Sequence, residues 1–168
     1  MKLRKIISGG QTGVDQAALR AAQAGGLECG GWCPPGRVCE GGTIPLNFPL
    51  EETPEESSRD ALHVLHSQRT EWNVRDSEAT LVLSPIISNE RLILEDPGTH
   101  YAIGCALRYE RPILQCDPFA HDSIDIVKEW LEQASVSVLN VAGPSESTSP
   151  GIGDQTYELL MQILSGAG

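Results

Sequence analysis

Four stretches of this chain carry residue types suited to gripping a small polar molecule. The first is Ser8-Gly9-Gly10-Gln11-Thr12-Gly13-Val14-Asp15. Glycines let backbone N–H groups approach an anion without a Cβ in the way, and a helix start adds free donors and a partial positive charge. Gly9, Gly10, Gln11, Thr12 and Gly13 are therefore candidate phosphate-binding residues. The spacing is neither G-x-G-x-x-G nor a P-loop, because no lysine follows the last glycine. Thr12 and Asp15 have capping-box spacing. The charge of Asp15 suits a capping role, an acceptor for a ribose or base edge, or a Mg²⁺ ligand better than it suits a phosphate.

The second stretch is Pro97-Gly98-Thr99-His100. Pro97 and Gly98 suit a turn and Thr99 suits an N-cap, so a second helix start is expected there, with Pro97, Gly98 and Thr99 as ligand contacts. Gly143-Pro144-Ser145 opens a third loop, and Gly143 joins the candidate set. Between them, the segment Arg69-Thr70-Glu71-Trp72-Asn73-Val74-Arg75-Asp76 offers Arg69 and Arg75 as cations for an acidic protein, and Asn73 to read a heterocycle edge. Catalysis is less marked. Asp15 and Asp76 are the weak acid–base candidates, with Glu71 beside them, and each needs burial to serve. Cys29, Cys33 and Cys39 match no zinc or iron–sulfur spacing and read as small buried thiols. No metal site is expected.

These loops must be positioned by alternating strands and helices. Strands are expected over residues 3–8, 27–33, 79–84, 113–116 and 136–142, and helices over 14–24, 60–76, 101–109, 123–134 and 157–164. Residues 34–58 hold five prolines and three glycines, so an irregular excursion is expected there, long enough to be functional. The alternation predicts one α/β domain over residues 1–168, with a mostly parallel sheet covered by helices on both faces. Ligands of such sheets bind beyond the carboxyl ends of the strands, where all three glycine-containing loops fall.

The formal net charge is −11 over 168 residues. A surface that acidic repels nucleic-acid backbones and anionic lipids, so neither is an expected partner. No stretch approaches the ~18 apolar residues of a membrane span. Five cysteines, an odd number, in a chain starting without a signal-peptide pattern indicate a reduced, cytoplasmic setting.

Taken together, IISGGQTGVDQAAL, GGWCPPGR, IPLNFPLEET, QRTEWNVRDS, TLVLS, PGTHYA, LNVAGP and PGI resemble the family named putative molybdenum carrier proteins, a circularly permuted branch of the SLOG superfamily. The resemblance spans nearly the whole chain. It implies a Rossmann-like, doubly wound fold, a homo-oligomer (dimer or tetramer), and a small-molecule ligand that is either molybdenum cofactor (a pterin phosphate) or a nucleotide. It also places Gly98 and Thr99 on the superfamily's phosphate loop. The alternative is a nucleoside-monophosphate phosphoribohydrolase. That branch carries P-G-G-x-G-T-x-x-E, and its catalytic glutamate falls here on Ala102, which disfavours hydrolysis. Ser145 and Pro35 stand where the carrier family often has basic residues. A third option is a degenerate domain that acts as an assembly module.

Overall fold

The computed structural model describes residues 2–85 and 88–166. A five-stranded, wholly parallel sheet forms its centre, built from β1 (Lys5–Ile7), β2 (Glu28–Gly30), β7 (Ala79–Leu83), β8 (Ile113–Cys116) and β9 (Val138–Ala142) in the order β2-β1-β9-β7-β8. The last strand of the chain thus lies between the first strand and β7.

Side chains alternate across the sheet and divide its strands between two cores. Leu81, Leu83, Leu139 and Val141 meet α1 (Val14–Ala24), α5 (Ser123–Ala134) and α6 (Ile152–Ser165), in a cluster that also takes in Val14, Val127, Leu160 and Ile163. The opposite face carries α2 (Ser67–Arg75) and α4 (Pro97–Arg108), which pack together through Val74, Ala102, Cys105 and Ala106. A seven-residue helix, α3 (Asn89–Glu95), precedes α4 and was not expected from the sequence. Ser88 caps it by accepting from Arg91 N.

The excursion is more ordered than its prolines suggest. Gly31, at φ 125°, ends β2 and turns the chain into β3 (Trp32–Cys33). This strand pairs in parallel with β6 (Glu51–Glu52), while β4 (Val38–Cys39) and β5 (Gly42–Thr43) form a minimal hairpin. Arg37 staples the segment: its guanidinium donates to the carbonyls of Leu50, Pro45 and Phe48 at 2.9–3.1 Å. Ile44, Phe48 and Leu50 pack on Leu19 of α1. Regular structure is sparse because proline removes ladder donors, and side chain-to-carbonyl bonds take over.

Several boundaries differ from the sequence reading. Residues 60–66 do not continue α2 upstream. Ser67 Oγ there accepts from Ser58 N at 2.8 Å and donates to Ala61 O at 2.9 Å, a turn that competes with helix. His66, at φ 58°, then begins α2 in a left-handed conformation. α6 starts at Ile152, because Gly151 at φ 86° supplies its N-cap. No helix among the described residues is long and apolar enough to cross a membrane.

Candidate functional site

A cavity of about 400 Å³ opens at the carboxyl edge of the sheet. Its wall draws Gln11 from the loop after β1, Asp15 from the start of α1, His66, Arg69 and Thr70 from the start of α2, Asp96, Pro97, Gly98 and Thr99 from the start of α4, and Gly143 and Ser145 from the loop after β9. Residues from all three sequence-predicted loops and from the arginine segment thus share one hollow.

Its best-defined feature is an ion pair. Arg69 Nη1 lies 2.8 Å from Asp15 Oδ2, with the two side chains only 15% and 4% exposed. The same carboxylate oxygen accepts from Gln11 N at 3.2 Å. Burial pushes the Asp15 carboxyl up from its ordinary range, and the Arg69 guanidinium works against that rise. Arg69 Nε is buried with no acceptor among the described residues. Gly9 makes the approach possible, because a Cβ there would sit 1.7 Å from Arg69 Nη1.

The first loop is not the expected capping box. Gly13 is the N-cap of α1, with no side-chain cap. Thr12 Oγ1 instead donates to Glu40 and accepts from Glu146 N at 3.2 Å. The loop's donors are largely engaged within the protein: Thr12 N bonds Gln11 Oε1 at 3.0 Å, Val14 N bonds Pro144 O at 3.2 Å, and Gln11 N takes Asp15. Gly13, at φ 77°, packs against the third loop so closely that a Cβ would lie 2.6 Å from Pro144 O. Gly10 abuts Ile44 and Leu50 of the excursion. Gly9, Gly10, Thr12 and Gly13 therefore support the cavity from outside its lining.

The second loop also differs. Thr99 is not the N-cap of α4 but its third residue. Asp96 caps, accepting from Thr99 N at 3.1 Å and Thr99 Oγ1 at 2.5 Å. Pro97, the first helical residue, has no N–H to offer. The starts of α1 and α4 thus each carry a carboxylate, Asp15 and Asp96.

Other candidates lie outside the lining. Asn73 is buried and clamps Trp32, accepting from its N at 2.8 Å and donating to its O at 2.9 Å. Arg75 pairs with Asp76 at 2.7 Å, and its guanidinium lies 4.4 Å from the Trp72 ring centre. Asp76 also accepts from Trp32 Nε1 at 2.8 Å. The bond from Arg75 holds the Asp76 carboxyl low. Glu71 accepts from Ser58 Oγ, from Tyr109 OH at 2.9 Å and from Tyr101 OH at 3.3 Å. Burial pushes Glu71 up, but these bonds and Arg108 outweigh it and hold the carboxyl below its usual range. Ala102, where a hydrolase would need its glutamate, is buried in the apolar contact between α2 and α4. Cys29, Cys33 and Cys39 are free thiols, and burial pushes Cys29 and Cys33 up, away from thiolate.

Two functional features escaped the sequence reading. His66 lines the cavity beside Arg69 but belongs to no glycine motif. Glu40, in the excursion, gathers the loops: its carboxylate accepts from Thr12 Oγ1, Ser147 N and Ser147 Oγ, and its N–H donates to Gln11 Oε1. Burial opposes ionisation of Glu40, yet the bonds from Ser147 and Thr12 bring it down to about 2.

A parallel sheet sandwiched by helices, with a polar cavity at its carboxyl edge, defines a Rossmann-like α/β class of protein. Residues 6–164 match the family described as the Circularly permutated YpsA SLOG family, and the chain belongs to it. It is similar to the crystal structure of a putative molybdenum carrier protein from Syntrophus aciditrophicus SB, with 34% identity and a TM-score of 0.82 over 97% of this chain and 95% of that one. No curated protein matches the chain.

Proposed function

We propose that this chain is a binding or carrier protein for a phosphate-bearing heterocyclic small molecule, either molybdenum cofactor, as the similar structure's name suggests, or a nucleotide. The observation that carries this reading is the convergence of Gln11, Arg69, Pro97, Gly98, Thr99 and Gly143 on one cavity of about 400 Å³. That is within the ~300–1,000 Å³ of small-molecule sites. Arg69, held by Asp15, supplies a cation, and Asp96 is an acceptor of the kind that reads the N–H edge of a pterin or purine. No cluster of three His, Cys, Asp or Glu side chains among the described residues is arranged to hold a metal ion. In the molybdenum cofactor reading, the metal arrives as cargo on its own pterin dithiolene. Ala102 argues against the base-releasing alternative.

Native mass spectrometry tests this on protein purified gently from a host that makes molybdenum cofactor. The expected result is an adduct with the mass of a pterin phosphate or a nucleotide, lost in Arg69→Gln. Protein that carries no adduct and takes up neither class of ligand when they are added would refute the reading.

A further inference from the structure

We propose that the ligand's anionic group docks on Arg69 and His66 at the start of α2, with the hydrogen-bond-donating edge of its heterocycle turned toward Asp96 at the start of α4. This rests on the binding function proposed above and fixes the direction in which the ligand lies.

The cavity's ends differ in their cations: Arg69 and His66 stand at one, beside the carboxylates of Asp15 and Glu56, whereas the lining at the start of α4 carries Asp96 with no lysine or arginine among the described residues. An anion at the start of α4 would meet the Asp96 carboxylate, which already takes Thr99 N and Thr99 Oγ1. An anion at the loop after β1 would find the N–H groups of Gln11, Thr12 and Val14 engaged. Like charge without a compensating cation at the start of α4, and missing donors at the loop after β1, disfavour phosphate there. Arg69 is the lysine or arginine of the lining among the described residues. Its Nε is a buried donor without an acceptor among the described residues, so Asp15 does not use up the guanidinium's donors.

His66 completes this end. His66 lines the cavity, and its Nδ1 lies 2.5 Å from Glu56 Oε1. That leaves Nε2 as the other nitrogen for a ligand. The left-handed backbone at φ 58° is sparsely populated for such a residue, and strain of this kind clusters at functional sites. The groups around the ring are Glu56 and Arg69 directly, Asp15 beyond Arg69, and His63, Glu95 and Asp96 on the same cavity. Burial, followed by the positive charge of Arg69, lowers the imidazole's proton affinity, with Glu56 opposing. An anion arriving between His66 and Arg69 reverses that balance, so binding takes up a proton at His66. Affinity for the anionic ligand then rises as pH falls.

Imidazole NMR over a pH titration reads this directly, with adenosine 5′-monophosphate, a pterin phosphate, and adenosine as probes. Saturation with either phosphate should raise the His66 pKa by about one unit or more, while adenosine leaves it unmoved. His100 and His121, which are outside the lining, serve as references. His66→Asn, which tolerates a left-handed backbone, should weaken phosphate binding more at pH 6 than at pH 8 and leave adenosine affinity unchanged. A His66 pKa unmoved by a bound phosphate, or Asp96→Asn tightening phosphate binding many-fold while His66→Asn changes nothing, would overturn the orientation and leave the binding function standing. If no probe perturbs any cavity resonance, the binding function falls and the orientation with it.

Discussion

The two helical layers are held to the sheet by different chemistry. The layer of α1, α5 and α6 closes over an apolar cluster in which Leu81, Leu139 and Val141 are wholly buried. The layer of α2 and α4 shares a small apolar contact and is knitted by polar groups: Glu71 with its tyrosines and Arg108, Asn73 on Trp32, and Arg69 on Asp15. Even the sheet becomes polar on that side, where Asn140 Nδ2 donates to Thr80 Oγ1 at 3.3 Å. The cavity opens between this second layer and the strand ends. Apolar burial fixes the scaffold, while directional and charged contacts aim the residues that face a ligand.

The contrast can be broken from either side. Leu139→Ala should cost the most, about 4 kcal/mol, since a buried leucine is lost from the centre of the sheet. Urea unfolding measures it, and a loss near 1 kcal/mol would mean that the apolar layer is not the foundation. Asp15→Ala should follow at about 3 kcal/mol, because it leaves the Arg69 guanidinium without its buried partner. It should also reduce ligand affinity as Arg69 loses its position; a stable variant with native affinity contradicts that role. Glu71→Gln should cost about 2 kcal/mol by weakening charge-assisted bonds to Ser58, Tyr109 and Arg108.

Acid should loosen the polar layer in particular. The folded-state pKa values of Glu71, Asp76 and Glu40 lie below their ordinary values, Glu40 at about 2. Their stabilisation is therefore complete above the unfolded-state range of about 4 and is lost as pH falls through the folded values. Asp15 has the opposite sign: raised by burial, it favours the fold below its unfolded value and loses that as pH rises. Urea midpoints between pH 7 and pH 2.5 should fall, with Glu71→Gln and Glu40→Gln flattening the fall. Identical slopes in these variants would remove those carboxylates from the account. The smallest effect is expected on the surface. Arg91→Ala breaks an exposed pair with Glu95 and should change stability by less than about 0.5 kcal/mol.

The sheet was legible because its strands are short apolar runs, as over Ala79–Leu83, and because α1 and α5 carry clear stripes ended by Gly25 and Ser135. The meeting of the glycine loops at one edge followed from alternation alone. Less legible was which polar residue would cap which helix. Asp96 and Thr99 are both good caps, and Pro97, which favours the first helical position, was the clue that decides for Asp96. The start of α2 was hidden because the Ser58–Ser67–Ala61 bonds depend on side chains meeting across a turn, which periodicity does not encode. Arg37 and Glu40 were invisible for the same reason: each binds groups brought near only by the finished fold.

The placement of β9 sets the order of assembly. β1 pairs with β2, and β7 with β8, and among the described residues β1 and β7 share no ladder and are joined through β9, residues 138–142. During synthesis, two half-sheets emerge with open edges, and they cannot close until residues 138–142 have left the ribosome. Both edges then pair with one late strand, so sheet closure waits on contacts far apart in sequence. This makes for slow folding and a nascent chain with exposed strand edges. A chain cut before residue 138 would keep those edges open, and a chaperone that shields strand edges would find its longest-lived client in that interval.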